Sequence, residues 1–196
     1  MRARTALLIL LSGSLVGGCA ASVHSVAPEK EAVFDPSMLG KWKEIKPDAG
    51  NIEYTVEQEG ADGYRISFVD EGHTITQVYT AHVFKLGSAL FYDAIFSKIS
   101  LKNETMGLND MAVYGTHAFG RIWMTPDEIN LGALNEDWLE KALDEKKLAL
   151  HYERGDPGGG VDLLLTGSSE ELRAFAQKYA DDKEAFGAKL VYQRIK

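Results

Sequence analysis

His24, His73, His82, His117 and His151 are the residues best suited by type to proton transfer or metal binding. Their spacing supports neither. No HExxH or HxH occurs, so no two imidazoles share a local ligand pattern. His82 and His117 both fall in strand signals and could meet in space, but hydrogen-bonded wall or surface histidines explain them as well. Gly155 to Gly160 reads GDPGGG, without the Gly-Lys-Ser/Thr ending and strand–helix setting of a phosphate loop. Gly167-Ser168-Ser169 is not the GxSxG of a nucleophile elbow. Asp181 and Asp182 are adjacent, whereas acid–base work needs two carboxyls placed across a substrate. The side chains therefore offer no catalytic constellation, no metal site and no cofactor motif. An enzyme is the least supported reading.

The aromatic residues suggest binding instead. Tyr54, Tyr64, Phe68, Phe84, Phe91, Tyr92, Phe96, Phe119 and Trp123 come from segments expected to be neighbouring strands. Of these, Tyr54, Tyr64, Phe68, Phe84, Tyr92 and Phe119 are the candidates to line a ligand cup, with Tyr54, Tyr64 and Phe68 the best inward positions. A small eight-stranded barrel can be an open cup or a filled core, and both remain open at this point.

The elements that would position them are mostly strands. Ile52, Tyr54 and Val56 alternate with Glu53, Thr55 and Glu57, the period-two pattern of a half-buried strand over Asn51 to Gln58. Turn signals follow at Gly60 to Gly63 and at Asp70 to His73. Between and after them, Tyr64 to Phe68 and Thr74 to Leu86 read as strands. Leu86 to Ala89 is a hairpin candidate before a strand over Leu90 to Phe96. Lys98 to Gly115 mixes polar and apolar residues and reads as a long loop. Strand signals return over His117 to Met124 and Ile129 to Leu134, across a Thr125-Pro126-Asp127-Glu128 turn.

Two helices are expected, at about 135–147 and 169–180. In the first, Asn135 caps, Glu136 and Asp137 begin, and Lys146 and Lys147 end, an order that complements the helix dipole. In the second, Ser168 and Glu171 fit a reciprocal capping box, and Leu172, Phe175, Ala176 and Tyr179 form a helical stripe. Leu148 to Glu153, Val161 to Thr166 and Ala188 to Ile195 complete the strands. A meander of this length must protect its edges, and closing into a barrel removes them.

The chain of 196 residues is 45% hydrophobic and 10% aromatic, which excludes a mainly disordered protein. Lys plus Arg is 21 against 29 Asp plus Glu, a net charge of -8, so no basic face for nucleic acid is expected. The single cysteine excludes an internal disulfide. That cysteine ends a distinctive segment. Arg2 and Arg4 precede an apolar run from Ala6 to Val16, which as a helix would rise about 16 Å, roughly half the hydrocarbon thickness. It is too short to span and reads as a secretory signal. Its end, Leu15-Val16-Gly17-Gly18-Cys19, resembles the lipobox of bacterial lipoproteins. The resemblance implies cleavage after Gly18 and acylation of Cys19. With Ala20 rather than Asp next, it also implies the outer membrane, facing the periplasm, or the outer face of the plasma membrane in a one-membrane host. The expected organisation is a signal peptide over 1–18, a flexible tether over 19–34 and a barrel domain over 35–196.

Gly40 and Trp42 form a Gly-x-Trp at the start of the first barrel strand, and Arg194 lies in the last. This pair, with a meander and a late helix, resembles the lipocalin and calycin barrels. The resemblance implies that Trp42 plugs one barrel end and that Arg194 packs over it. The expected fold is mainly β: an antiparallel up-and-down, lipocalin-like barrel with two helices. The expected function is an envelope lipoprotein, held at the membrane through Cys19, that binds a lipid or other hydrophobic or amphipathic molecule. The alternative is a filled barrel acting as a structural or regulatory protein that binds another protein, whose identity the sequence does not give.

Overall fold

The computed structural model describes residues 21–45, 53–69, 75–101, 104–107, 115–155 and 163–196. Residues 1–18, Cys19, His73 and the glycine-rich 156–160 lie outside them.

Eight strands close an antiparallel barrel: β2 (Gly40–Glu44), β3 (Glu53–Glu59), β4 (Gly63–Val69), β5 (Ile75–Leu86), β6 (Ala89–Leu101), β8 (His117–Thr125), β9 (Glu128–Ala133) and β12 (Ala188–Arg194). Each pairs with the next in this order, and β12 returns between β9 and β2 to close the ring. Among the described residues every barrel strand pairs on both sides, which is what closure achieves for a long meander. This is the up-and-down architecture expected from the alternating strands, and it is consistent with a lipocalin-like fold. The turns at 60–62, 87–88 and 126–127 lie at one end of the barrel. Gly60 (φ 66°) and Gly87 (φ 67°) take left-handed backbone there, where a side chain would be strained.

Residues 98–101 and 104–107 depart from the expected loop. Strand β6 runs on to Leu101, and β7 (Glu104–Gly107) folds back on it. An irregularity in register opposite Val78 and Tyr79 divides β6: its first half faces β8, and its second half faces β7.

Between β9 and β12 the chain leaves the barrel. Helix α1 (Glu136–Asp144) begins where Asn135 accepts a hydrogen bond from Trp138 N, as its sequence predicts. It ends earlier than expected. Lys146 adopts φ 56°, its N–H bonds to Leu143 O, and the Lys147 N–H bonds to Ala142 O. This is the Schellman geometry, here built on a lysine rather than the usual glycine, so the stop carried no composition signal. Of the strand expected over Leu148 to Glu153 only Tyr152 and Glu153 pair; with Arg154 they form β10 (Tyr152–Arg154), which pairs with β11 (Leu163–Leu165). Helix α2 (Ser169–Tyr179) opens on the complete Ser168–Glu171 capping box.

A tether is expected over 19–34, and residues 21–34 correct it. Ala21–Ser22 form β1, wedged between β11 and β8. Val26 and Ala27 are fully buried, and Val33 N donates to Val83 O at 2.7 Å. The small apolar residues of this segment are buried in the core outside the barrel wall, a packing that composition cannot distinguish from a polar linker.

Two hydrophobic cores result. One fills the barrel, around Trp42, Tyr54, Tyr64, Phe68, Tyr79 and Tyr192. The other lies outside the wall, where Phe84, Phe91 and Phe119 meet Val26, Leu139, Leu172, Phe175 and Phe186. The helices therefore cover one flank of the barrel.

Candidate functional site

Alternation along each strand decides which side chains reach the barrel interior. On β2, Trp42 and Glu44 point in while Lys41 and Lys43 are exposed. Tyr54 and Val56 of β3, Tyr64 and Ile66 of β4, Ala81 and Val83 of β5, and Tyr92 and Ala94 of β6 join them, with Ile122, Ile129, Leu131 and Tyr192 from the far wall. All of these except Glu44, together with Met38, line a cavity of about 60 Å³. Ligand pockets commonly measure roughly 300–1,000 Å³. The interior is thus neither a wide cup nor a completely filled core.

Of the six lining candidates, Tyr54, Tyr64 and Tyr92 line this cavity. Phe68 belongs to the barrel core and packs its ring 5.5 Å from that of Tyr54, but it does not line the cavity. Phe84 and Phe119 are corrections: both face outward into the second core. In β5 the inward residues are Tyr79, Ala81 and Val83, so Phe84 has the opposite parity. In β8 the inward residue is Ile122, so Phe119 does too. A strand buried on both faces shows aromatic residues at both parities, and periodicity loses its sense of direction.

The two barrel-closure residues meet. The Arg194 guanidinium lies 4.2 Å from the Trp42 ring centre. Arg194 also donates to Pro126 O at 3.1 Å, to Leu39 O at 2.9 Å and to Ser37 O. Trp42 Nε1 donates to Met38 O at 2.9 Å. Gly40, with φ 125°, sits so close to Arg194 that a Cβ there would fall 2.9 Å from its Nη1. The Gly-x-Trp spacing leaves room for the arginine above the indole and ties the first strand to the last.

A polar group that the sequence reading missed lies inside the barrel. Glu44 is only 8% exposed and is the cross-strand neighbour of Tyr192. Tyr54 Oη stands 3.5 Å from Glu44 Oε2, and the Tyr54 and Tyr192 rings meet edge to face at 5.0 Å. Tyr79 Oη donates to Gln77 Oε1 at 2.8 Å nearby. The signal was available: Glu44 follows Trp42 by two residues, and Tyr192 precedes Arg194 by two, so both share the inward parity.

Burial pushes the Tyr79 hydroxyl up to about 12. It drives those of Tyr54 and Tyr192 higher still, with the Glu44 carboxylate adding to both shifts. A phenol raised above its unfolded value of about 10 stays protonated in the folded protein after the unfolded chain has ionised. Folding then loses stability as pH rises above about 10, by roughly 1.4 kcal/mol per pH unit for each such tyrosine. We expect full stability from these groups below pH 10 and steep alkaline unfolding above it. In a spectrophotometric titration the last tyrosines should ionise together with loss of the β-sheet circular dichroism. Ionisation of every tyrosine before any unfolding would contradict their burial.

His82 and His117 stand on the outer face of the barrel wall. His117 Nδ1 donates to Asp93 Oδ1 at 2.6 Å, and His82 is the cross-strand neighbour of Asp93. His151 contacts Glu171 at 2.7 Å on the surface. Asp181 pairs with Arg121, and Asp182 caps the amides of Glu184 and Ala185. Among the described residues, no group of three His, Cys, Asp or Glu side chains converges in a metal-binding arrangement.

No protein-family model and no solved structure matches this chain. Its functional reading therefore rests on the barrel and on the residues within it.

Proposed function

We propose that this chain is a lipid-anchored envelope protein of lipocalin-like type whose barrel binds a small or slender hydrophobic molecule. The observation that carries the reading is the aromatic-walled interior cavity. Its size narrows the ligand: about 60 Å³ suits a short chain or the tip of a longer one, not a bulky lipid. The filled-barrel alternative is the outcome if nothing enters.

The test is a titration with straight-chain alcohols from butanol to octanol, followed by shifts of the Tyr54, Tyr64 and Tyr92 resonances. Binding should saturate at one site and tighten by about 0.8 kcal/mol, roughly fourfold, for each methylene until the space is filled. Ala81→Leu, which fills the cavity, should abolish it. Absence of saturable shifts across the series would overturn the binding reading and leave the filled barrel.

The anchor rests on the Gly17-Gly18-Cys19 sequence. Lipid on Cys19 would enter the membrane two residues before β1, so the barrel would sit close to the bilayer, with no long tether between them. A thioether-linked diacylglycerol plus an amide-linked chain gives firm anchoring where one chain alone would not. Cys19→Ser should move the protein from the membrane fraction to the soluble fraction with its fold unchanged. Retention of the unlipidated variant at the membrane would contradict the anchor.

A further inference from the structure

We propose that the groove between residues 147–151 and helix α2 binds an extended peptide of another protein, adding it as a strand and holding its terminal carboxylate. The site lies outside the barrel and stands independently of the cavity within it. Space, open backbone and charge carry the proposal together.

The groove measures about 290 Å³, against about 60 Å³ inside the barrel. That approaches the size of common ligand pockets, roughly 300–1,000 Å³. Leu148 and Leu150 form one side, and Ala174, Phe175 and Tyr179 form the other. His151 Nδ1 lies 2.7 Å from Glu171 Oε1, while Lys147 and Lys178 both line the groove. The segment and α2 therefore run in opposite directions, with both lysines at the same end. At ~1.5 Å per residue, the rise of α2 from Glu171 to Lys178 is about 10 Å, the length of about three extended residues.

Burial alternates from Leu148 to Glu153, half-buried then exposed, so the period of β10 continues back to Leu148. The ladder to β11 does not follow it. It ends where His151 O accepts from Thr166 N at 2.9 Å and from Gly167 N at 3.2 Å. Among the described residues, the backbone of Leu148, Ala149 and Leu150 makes no hydrogen bond, and β10 is the outermost strand of its sheet. Such an edge is a template for a further strand, and pockets beside it select alternate side chains. Charge then sets the direction. Glu171 is engaged at its end by His151 and by the Ser168 N–H. Lys147 pairs with Glu145 at 2.5 Å. Lys178 Nζ lies 5.0 Å from the Tyr179 ring centre, and among the described residues no carboxylate pairs with it. A peptide running toward Lys178 brings its terminal carboxylate to that ammonium and its amides to the open edge. A small organic anion would satisfy the lysine alone.

The test titrates acetyl-Leu-Ala-Leu with a free carboxylate into the full chain, following Leu148, Leu150 and Tyr179 resonances by NMR. It should saturate at one site, at least tenfold more tightly than the same peptide with an amidated terminus. Lys178→Gln, an exposed position, should bring the two peptides to equal affinity. Ala174→Trp, also exposed, should fill the groove and abolish binding. Circular dichroism checks that both variants are folded. Successive amides of a strand point to opposite sides, so N-methylation at one of two successive peptide amides should weaken binding at least tenfold and at the other should not. Equal affinity of acid and amide on the unsubstituted protein, or binding that survives Ala174→Trp, overturns the proposal. Hexanoate binding as tightly as the acid peptide, or indifference to both N-methylations, makes the groove a small-anion site and overturns it too. A dimer of the chain alone that Ala174→Trp dissociates makes a second copy the occupant, with the same consequence. None of these outcomes bears on binding within the barrel.

Discussion

Phe91→Ala is expected to lower the folding stability by about 3–5 kcal/mol, the cost of removing a fully buried aromatic ring. Phe91 is 0% exposed, although it stands on the outer face of the barrel wall. Its ring meets Phe186 edge to face at 5.4 Å and lies 5.6 Å beneath the Arg121 guanidinium. Arg121 in turn donates to Ala180 O at 3.1 Å, just past the end of α2, and to Leu90 O at 3.2 Å on β6. Phe91 is thus the centre of the joint between barrel and helices. Domains of this kind commonly have roughly 5–15 kcal/mol in total, so the loss is a large share of it. Urea unfolding should show a strongly lowered midpoint with an unchanged slope. Phe91→Leu, which keeps much of the volume, should cost well under half as much. A loss below about 1 kcal/mol for Phe91→Ala would mean that the helices do not pack on the wall at this point.

Asp93→Ala is expected to cost a similar amount, about 3–5 kcal/mol, for an electrostatic reason. Asp93 is 3% exposed on the same outer face. Its Oδ2 accepts hydrogen bonds from Val26 N and Ser25 Oγ, both at 2.8 Å, and its Oδ1 accepts from His117 Nδ1. One carboxylate therefore fastens the N-terminal segment to β6 and β8. Removing it leaves a buried amide and an imidazole without their acceptor, and the desolvation of both is no longer offset. The substitution should expose residues 21–34 to proteolysis before the barrel itself is cut. Ser25→Ala removes one neutral donor and should cost only about 1 kcal/mol. Equal protection of the N-terminal segment in Asp93→Ala and the parent protein would contradict this role.

The two residues show why some of the structure was legible and some was not. Asn135, Ser168 and Glu171 act on amides within a few residues, so their capping roles could be read locally. Glu53 to Glu59 announced itself because one face is wet and the other dry. Phe84 and Phe119 carried no such contrast, since their strands are buried on both sides, and their assignment to the interior was wrong. The end of α1 was missed because a lysine fills the left-handed position usually held by glycine. The N-terminal segment reads as a linker because nothing between Ser22 and Phe34 has a regular period. Its order comes from Asp93, about seventy residues away in the chain.

The candidate site divides in the same way. Gly40, Trp42 and Arg194 stand out by type and position. Glu44 and Tyr192 look like an ordinary surface acid and an ordinary core tyrosine until strand parity is applied from the tryptophan and the arginine. By itself, the sequence determined the strands, the caps, the meander order and the expectation of a closed barrel. These follow from periodicities and hydrogen bonds a few residues long. Only the tertiary structure decided that the helices build a second core on the wall. It also decided that residues 21–34 are packed, and that the interior keeps a small aromatic cavity. Those outcomes depend on which faces of distant segments meet, and on how nearly their volumes fill the space between them.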